Sequence, residues 1–427
     1  MNNLTKKISS ISKNKEAKTV AGNFMWLSAL QVAGYVFPLI TMPYLARVIG
    51  VEGFGKIAFA SAIMIWIQTI ADWGFNLTAT RDVAQNRDNP QRVSEIFSNV
   101  LWARCFLMLL SFVVLVLLIL IVPKFREESS VILVTFLMIP GHILFPDWFF
   151  QAIEKMKYIT ILNVLMKFLF TVAVFAFVKT PEDYILQPLL TSLGYVVCGI
   201  IALYIIFGKW KIKLLKPTRR AVWHAIKGST DVFINNLAPN LYNSFSVMLL
   251  GFYGGGVANG IYDGGNKFFT ICNNLLHVVS RAFFPFLSRK PQNHKSFTYI
   301  IISVSILMFV ALYMLAPWLV KIMLSPEFSD SVIVLRILAL SLFALAVSTS
   351  YGSCYLIIIH RADVLRKVTV ISSLIGFVIA WPMVYNLSFI GAALTVTITR
   401  IILATLTYLA AKGILFSDCN QNDVRHE

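Results

Sequence analysis

The sequence predicts an all-α polytopic membrane protein, with twelve transmembrane helices in two six-helix bundles related by a pseudo-two-fold axis along the membrane normal. Three observations predict this class: the scarcity of charge, the length of the apolar runs and the placement of lysine and arginine. Only 13% of the 427 residues are charged, about half the share that is typical of a soluble domain. So little charge could not cover a water-facing surface, which argues strongly against a soluble fold.

The apolar residues come in runs of about 20, the length that a bilayer core demands of a helix. The mean hydropathy is +0.74, and there is no alternation of polar and apolar residues, so an outer-membrane barrel is disfavoured. Apolar length and loop breakers together predict spans near residues 21–46, 56–77, 96–122, 130–150, 158–178, 185–207, 229–251, 257–280, 297–324, 331–358, 365–386 and 389–412.

The positions of the 37 lysines and arginines test this layout. With a cytoplasmic N-terminus, 26 of them fall in the segments predicted to be cytoplasmic, 6 in the other loops and 5 within spans. An excess of this size is the orientation signal of a multi-pass protein of the inner membrane, and it places both termini in the cytoplasm. Adding or removing one span would scramble the pattern. The same excess explains the net charge of +17 without nucleic acid as a partner.

A basic linker near the middle of the chain predicts the domain organisation. Residues 208–228 carry seven lysines and arginines and are expected to join an N-terminal bundle (1–207) to a C-terminal bundle (229–427). Six spans in each half give the two halves the same orientation. A weak echo supports the division, because glycines precede both the second span (Gly53, Gly55) and the eighth (Gly254–Gly256).

The eighth predicted span carries a polar face from end to end. Seven polar residues recur along it at steps of three and four, which is the spacing of one helix face: Asn259, Asp263, Asn266, Thr270, Asn273, His277 and Arg281. Polar contacts between packed helices could explain two or three of them. Seven in a row favour a water-filled cavity, because polar groups inside a span usually face the bundle interior or water.

Five cations lie within the predicted spans. Arg104 and Arg336 lie close enough to a helix end to extend towards the interface. Lys167, Lys267 and Arg400 lie near mid-span, where each needs an anionic partner or water. Asp263 is four residues before Lys267, so these two could pair. The cations predict an electropositive cavity that suits an anionic substrate, with Arg104, Asn259, Asn266, Asn273, His277 and Arg281 as further candidates.

Two acidic residues are the candidates for coupling transport to an ion gradient. A carboxylate in a cavity can take up H⁺ or Na⁺, and Asp72 and Asp263 lie inside spans. No phosphate-binding loop, metal motif or catalytic arrangement occurs, and the five cysteines are scattered without a CxxC motif. We therefore expect no enzyme activity, no cofactor, no metal and no disulfide.

Several stretches resemble the polysaccharide-transporter family of O-antigen flippases, within the multidrug/oligosaccharidyl-lipid/polysaccharide exporter superfamily. The similar stretches are residues 38–55 (PLITMPYLARVIGVEGFG), 72–87 (DWGFNLTATRDVAQNR) and 146–151 (PDWFFQ), where Ala152 replaces the glycine usual in the family. The second half of the chain matches more loosely. The resemblance runs over most of the sequence.

The resemblance implies two six-helix bundles that work by alternating access. It implies a substrate of undecaprenyl diphosphate carrying an O-antigen repeat unit, flipped from the cytoplasmic to the periplasmic face, with coupling to H⁺ or Na⁺. The partners it suggests are membrane lipid, a polysaccharide polymerase and a chain-length regulator. It does not single out one coupling residue.

Two other functions stay open from the residues. A multidrug cation antiporter has the same fold, although an electropositive interior disfavours cationic drugs. A membrane polysaccharide polymerase or glycosyltransferase generally needs a long non-cytoplasmic loop or acidic residues just outside the first helices. The loops predicted on that side are short, and the first of them offers Glu52 alone.

Overall fold

A computed structural model describes residues 2–413, leaving aside the side chains of residues 2–21 and 285. The described chain is helical throughout its length, with short connections. Sixteen α-helices follow one another: α1 Asn2–Val48, α2 Gly50–Asp72, α3 Phe75–Gln85, α4 Pro90–Ile121, α5 Pro123–Glu127, α6 Ser129–Phe136, α7 Met138–Leu144, α8 Asp147–Ala152, α9 Met156–Phe177, α10 Leu186–Lys209, α11 Arg219–Leu237, α12 Ser244–Tyr253, α13 Gly255–Arg289, α14 His294–Met323, α15 Ser331–Ser348 and α16 Ala362–Ala411. A π-helix, Thr349–Leu356, extends α15.

Each predicted span coincides with one or more helices, and the fourth span (130–150) is divided among α6, α7 and α8. Among residues 2–413, nine helical segments are long and apolar enough to cross a membrane, which confirms a multi-pass membrane protein. α16 is one of the nine, although it bends at Ser388 (φ 51°) between the eleventh and twelfth predicted spans. The eighth predicted span lies outside the nine because it is rich in polar residues, and the seventh because it is divided between the polar α11 and the short apolar α12. The count of twelve is consistent with this and stays a prediction.

Prolines divide two predicted spans that the apolar pattern shows as continuous. α6 ends at Phe136, four residues before Pro140. In a continuous helix the proline ring would clash with the Phe136 carbonyl, and proline has no backbone N–H to donate to it. In the seventh span, α11 ends at Leu237 and a 3₁₀ turn containing Pro239 leads into α12. Both breaks leave backbone groups that a straight helix would have paired.

The described residues form two compact units. Unit 1 comprises residues 2–44, 67–179 and 183–233, and unit 2 comprises residues 45–66, 180–182 and 234–413. The divisions fall inside α1, α2 and α11, so residues 45–66 group with the second half of the sequence. The predicted boundaries at 207 and 229 stay a prediction.

Aromatic side chains form the core of unit 1. Trp148, Phe149 and Phe150, from the PDWFFQ stretch, are fully buried. Phe97 of α4 lies between the first two, with ring centroids at 5.8 and 5.5 Å. The stretch that carries the resemblance therefore forms a packing centre.

Asn89 begins α4 by accepting a hydrogen bond from the Arg92 backbone N–H at 3.1 Å, and Pro90 occupies the first turn.

Glycines bring α2 and α13 into close contact inside unit 2. A Cβ on Gly55 would lie 1.7 Å from the Gly256 carbonyl oxygen, and a Cβ on Gly260 would lie 2.0 Å from that of Val51. Small residues at a four-residue spacing allow helix backbones to approach this closely. The two glycine segments that suggested an internal echo thus pack against each other.

Candidate functional site

The polar face of α13 divides into a buried beginning and a more open continuation. Asn259 is fully buried, and its amide is placed to donate to the Val247 carbonyl at 3.0 Å and to accept from the Gly251 N–H at 3.2 Å. Both partners belong to α12. Asn259 therefore connects two packed helices. This is the role that the sequence analysis allowed for two or three of the seven polar residues.

One turn further along α13, Asp263 and Lys267 form an ion pair. Lys267 Nζ lies 3.2 Å from Asp263 Oδ2, and the side chains are 50% and 17% exposed. The ammonium group also lies 5.9 Å from the centre of the Phe54 ring. The two residues are four positions apart on one helix, and the sequence predicted their pairing from this spacing. Protein atoms leave half of the lysine side chain uncovered, so the ammonium group is held less firmly than in a buried pair.

The rest of the α13 face continues past this pair. Asn266, Asn273 and His277 are partly buried, whereas Thr270 and Arg281 are exposed. The side-chain oxygen of Asn273 is buried and has no hydrogen-bond partner among the described residues. A buried amide oxygen without a partner costs free energy, and water or a ligand hydroxyl would satisfy it.

Arg400 joins α16 to the same region of unit 2. Its Nη1 donates to Ser341 Oγ of α15 at 3.1 Å, and its guanidinium lies 4.5 Å from the centre of the Phe269 ring on α13. Arg400 and Arg281 are both electrostatic neighbours of His277. No carboxylate lies within ion-pairing distance of Arg400 in the described part of the chain. The positive charge of this region is therefore only partly compensated.

Unit 1 holds a second polar cluster, formed by α2, α4 and α7. Arg104 Nη2 donates to Asp72 Oδ1, and the Arg104 side chain is only 6% exposed. The same nitrogen lies 3.4 Å from the His142 carbonyl oxygen. Gln68 lies 3.4 Å from the His142 ring, which stacks on Tyr195 at 4.3 Å. Arg104 is therefore buried and paired within the protein instead of extending to the interface.

Sequence reasoning missed part of this cluster. His142, Tyr195 and Asp147 were not among the residues that the sequence singled out. Asp147 Oδ1 does accept from the Trp148 N–H at 2.8 Å, and the carboxylate is also an electrostatic neighbour of Asp72 and Arg104. His142 could have been identified from the sequence, because it is a histidine inside an otherwise apolar predicted span.

Lys167 is a cation of unit 1 that has no ion-pair partner among the described side chains. It lies at the middle of α9 and is partly buried. No carboxylate among the described side chains lies within ion-pairing distance of it. An ammonium group at this depth needs water or a ligand anion. Each unit thus contributes at least one cation that its own carboxylates leave available, Lys167 in unit 1 and Arg400 in unit 2.

The comparisons with known proteins identify the family. Residues 20–291, more than half of the chain, match the family described as polysaccharide biosynthesis protein. The chain belongs to this family. The resemblance noted in the sequence is thereby confirmed. The C-terminal part of the chain lies outside the matched residues.

Two relatives and several solved structures are similar over nearly the whole chain. A protein of Escherichia coli (strain K12) named "Putative O-antigen transporter" is 28% identical over 94% of this chain and 98% of its own length. One of Shigella dysenteriae with the same name is 25% identical over 91% and 99%. The lipid II flippase MurJ, in an inward closed conformation, has a TM-score of 0.75 at 14% identity over 91% of this chain and 87% of its own. An outward-facing MATE transporter of the MOP superfamily has a TM-score of 0.61 at 14% identity over 92% and 94%. These structures confirm the fold class.

Proposed function

We propose that the protein flips undecaprenyl-diphosphate-linked O-antigen or related polysaccharide repeat units from the cytoplasmic to the periplasmic face of the inner membrane. The observation that carries the proposal is the presence of incompletely neutralised cations deep in a membrane protein of this family. A diphosphate is the anion that such groups would stabilise. The relatives named as O-antigen transporters support the sugar part of the substrate, and no catalytic step is required.

The α13 ion pair supplies a means of coupling to an ion gradient in this proposal. Lys267 is the more exposed partner of Asp263, so it can turn towards the substrate diphosphate. Asp263 then loses its counter-ion and takes up H⁺ or Na⁺, which is released when Lys267 returns. Asp72 is a poorer candidate, because its partner Arg104 is buried and held by a second contact.

Removing the deep cations tests the proposed function. We expect Lys167→Gln, Lys267→Gln and Arg400→Gln each to lower transport roughly 10- to 100-fold, because a lost charge-assisted contact costs about 1.5–3 kcal/mol. The measurement is surface polysaccharide in a deletion strain that carries each variant, with the amount of membrane protein determined in parallel. Undecaprenyl-linked repeat units should accumulate on the cytoplasmic face.

Arg336→Gln is the matched control. Arg336 also lies inside a span, but its guanidinium rests 4.8 Å from the Tyr313 ring centre and donates to the Tyr313 carbonyl at 3.3 Å. We expect this variant to keep nearly wild-type polysaccharide. Wild-type polysaccharide in all three test variants would contradict the role of the cations. Accumulation of flipped but unpolymerised units would instead identify a polymerase.

Replacing Asp263 with asparagine tests the coupling role. We expect Asp263→Asn to remain folded, because Lys267 keeps access to water, and to lose dependence on the gradient. The measurement is transport of the lipid-linked substrate into proteoliposomes with an imposed H⁺ or Na⁺ gradient. The exposed Asp363→Asn variant is the control. Transport by Asp263→Asn that rises with the gradient as in the wild type would refute the coupling role.

A multidrug cation antiporter is the second candidate, because MATE transporters share the fold. The positive charge near Lys167 and Arg400 opposes a cationic drug. Overexpression that raises drug resistance without restoring polysaccharide would favour this alternative.

The cytoplasmic position of both termini belongs to the same proposal. Reporter fusions at the N-terminus and after Lys412 would test it. The C-terminal tail beyond residue 413 lies outside the described residues.

A further inference from the structure

The basic linker between α10 and α11 is held in one conformation by α4. Ser94 Oγ accepts from the Lys213 N–H at 3.1 Å, and Ser98 Oγ accepts from the Leu215 N–H at 2.9 Å and donates to the Lys213 carbonyl at 3.3 Å. Trp102 Nε1 donates to the Leu215 carbonyl at 3.0 Å. These three residues recur every four positions on one face of α4. The linker backbone at Lys213 and Leu215 is therefore held against that face of α4.

These hydrogen bonds hold the linker backbone in place, so its lysines are exposed at fixed positions. Ile212 is buried against unit 1, whereas Lys211, Lys213 and Lys216 are exposed. No aspartate or glutamate occurs between residues 184 and 230. We call residues 211–216 the basic strip. The stretch supplies no carboxylate of its own, so its positive charge can attract an anion from outside it.

The length of α4 places the basic strip at the membrane surface. The bilayer core spans about 20 helical residues, which Trp102 to Ile121 supply at the apolar end of α4. Trp102 then lies at the interface, where tryptophan is enriched. Ser94 and Ser98 lie about one to two turns beyond it, at the level of the lipid headgroups.

An apolar stripe on α4 begins next to Trp102 and lies beside the face that holds the strip. Phe106, Leu109, Leu110, Val113 and Leu117 are each more than half exposed on it. A lipid chain lying along this stripe would bring its headgroup towards the lysines. Adjacent faces of α4 thus offer hydrocarbon contact and positive charge in the order in which a phospholipid presents its own groups.

We propose that the basic strip and the stripe beneath it form a binding site for an anionic glycerophospholipid. The phosphate of the headgroup contacts the ammonium groups of Lys211, Lys213 and Lys216, while an acyl chain packs on α4. The seryl hydrogen bonds fix the spacing of the lysines, so recognition depends on geometry as well as on charge. This site lies within unit 1 and is independent of the proposed transport function.

Native mass spectrometry of the full-length protein tests the site. The purified protein is equilibrated with equal amounts of phosphatidylglycerol and phosphatidylcholine, and the ratio of bound lipids is measured. We expect the wild type to retain phosphatidylglycerol preferentially, and Lys211→Gln/Lys213→Gln/Lys216→Gln to lose about tenfold or more of that preference, since each lysine contributes to attraction by an anionic headgroup.

Two further variants separate a built site from bulk charge. Lys290→Gln/Lys295→Gln/Lys412→Gln removes the same charge from exposed positions elsewhere and should keep the preference. Ser98→Ala leaves the charge unchanged but removes two of the hydrogen bonds, and should lower the preference severalfold. Equal losses in the two triple variants, or a wild-type preference in Ser98→Ala, would overturn the proposal. So would efficient displacement of phosphatidylglycerol by undecaprenyl diphosphate, which would assign the strip to the transported lipid.

Discussion

Replacing Arg104 with leucine is expected to lower the free energy of unfolding by about 1.5–3 kcal/mol, the usual contribution of a hydrogen bond to a charged group. The Asp72 carboxylate on α2 would lose the guanidinium that now compensates it. Because the Asp72 side chain is 29% exposed, the cost stays below that of stranding a fully buried charge. The measurement is the thermal unfolding of the detergent-purified protein, followed by size-exclusion chromatography after heating.

A second ion pair on the same helix provides the control. Arg92 and Glu95 of α4 lie 2.8 Å apart, with both side chains about half exposed. Exposed pairs contribute at most about 1 kcal/mol, so Arg92→Leu should change stability little. The double variant Asp72→Asn/Arg104→Leu should be more stable than Arg104→Leu alone, because no charge is left unpaired. If Arg104→Leu proved as stable as Arg92→Leu, the buried pair would have no structural role.

The two intramembrane ion pairs show what sequence could predict of the site. Asp263 and Lys267 are four residues apart on one helix, so helical geometry alone brings them together. Asp72 and Arg104 lie on different helices, 32 positions apart. Nothing in their local sequence indicates that the helices place them side by side. The distance of Arg104 from the predicted helix end suggested the interface instead.

The polar face of α13 shows a related limit. Its periodicity correctly predicted that Asn259, Asn266 and Asn273 share one side of a helix. Periodicity cannot tell which neighbour that side faces. Asn259 faces the backbone of α12, where its amide is placed to make two hydrogen bonds, whereas the Asn273 oxygen has no partner among the described residues. One of the three is therefore structural, and one keeps an unmet hydrogen-bonding capacity.

The helical spans were the most predictable feature, because the bilayer imposes a length on every apolar helix. The exceptions are local. Pro140 and Pro239 divide spans in which the surrounding residues stay apolar or helix-compatible, and α3 forms just beyond the second span, where only Phe75, Ala79 and Val83 supply a short buried face. Hydropathy averaged over a whole span does not reveal the effect of one proline, which cannot donate a backbone hydrogen bond.

The packing of α2 on α13 leads to a prediction with an effect of comparable size. We expect Gly55→Ala to destabilise the protein by about 1–3 kcal/mol, the usual cost of overpacking, and to impair transport at wild-type protein levels. The added Cβ would lie 1.7 Å from the Gly256 carbonyl oxygen and 2.5 Å from the Gly260 nitrogen. Both are backbone atoms, so no side-chain rotation can relieve the clash. The two helices would have to move apart over the length of the contact.

Gly208→Ala is the matched control, and its effect should have the opposite sign. Gly208 lies in α10, and a Cβ there would meet nothing within 4 Å. Alanine is favoured over glycine inside a helix by about 0.5–1 kcal/mol, so this variant should be as stable as the wild type or more so. Thermal unfolding and surface polysaccharide measured on both variants separate the contact from the general effect of the substitution. A Gly55→Ala protein with wild-type stability and transport would mean that α2 and α13 need no close approach, and the small-residue face would then have no part in holding unit 2 together.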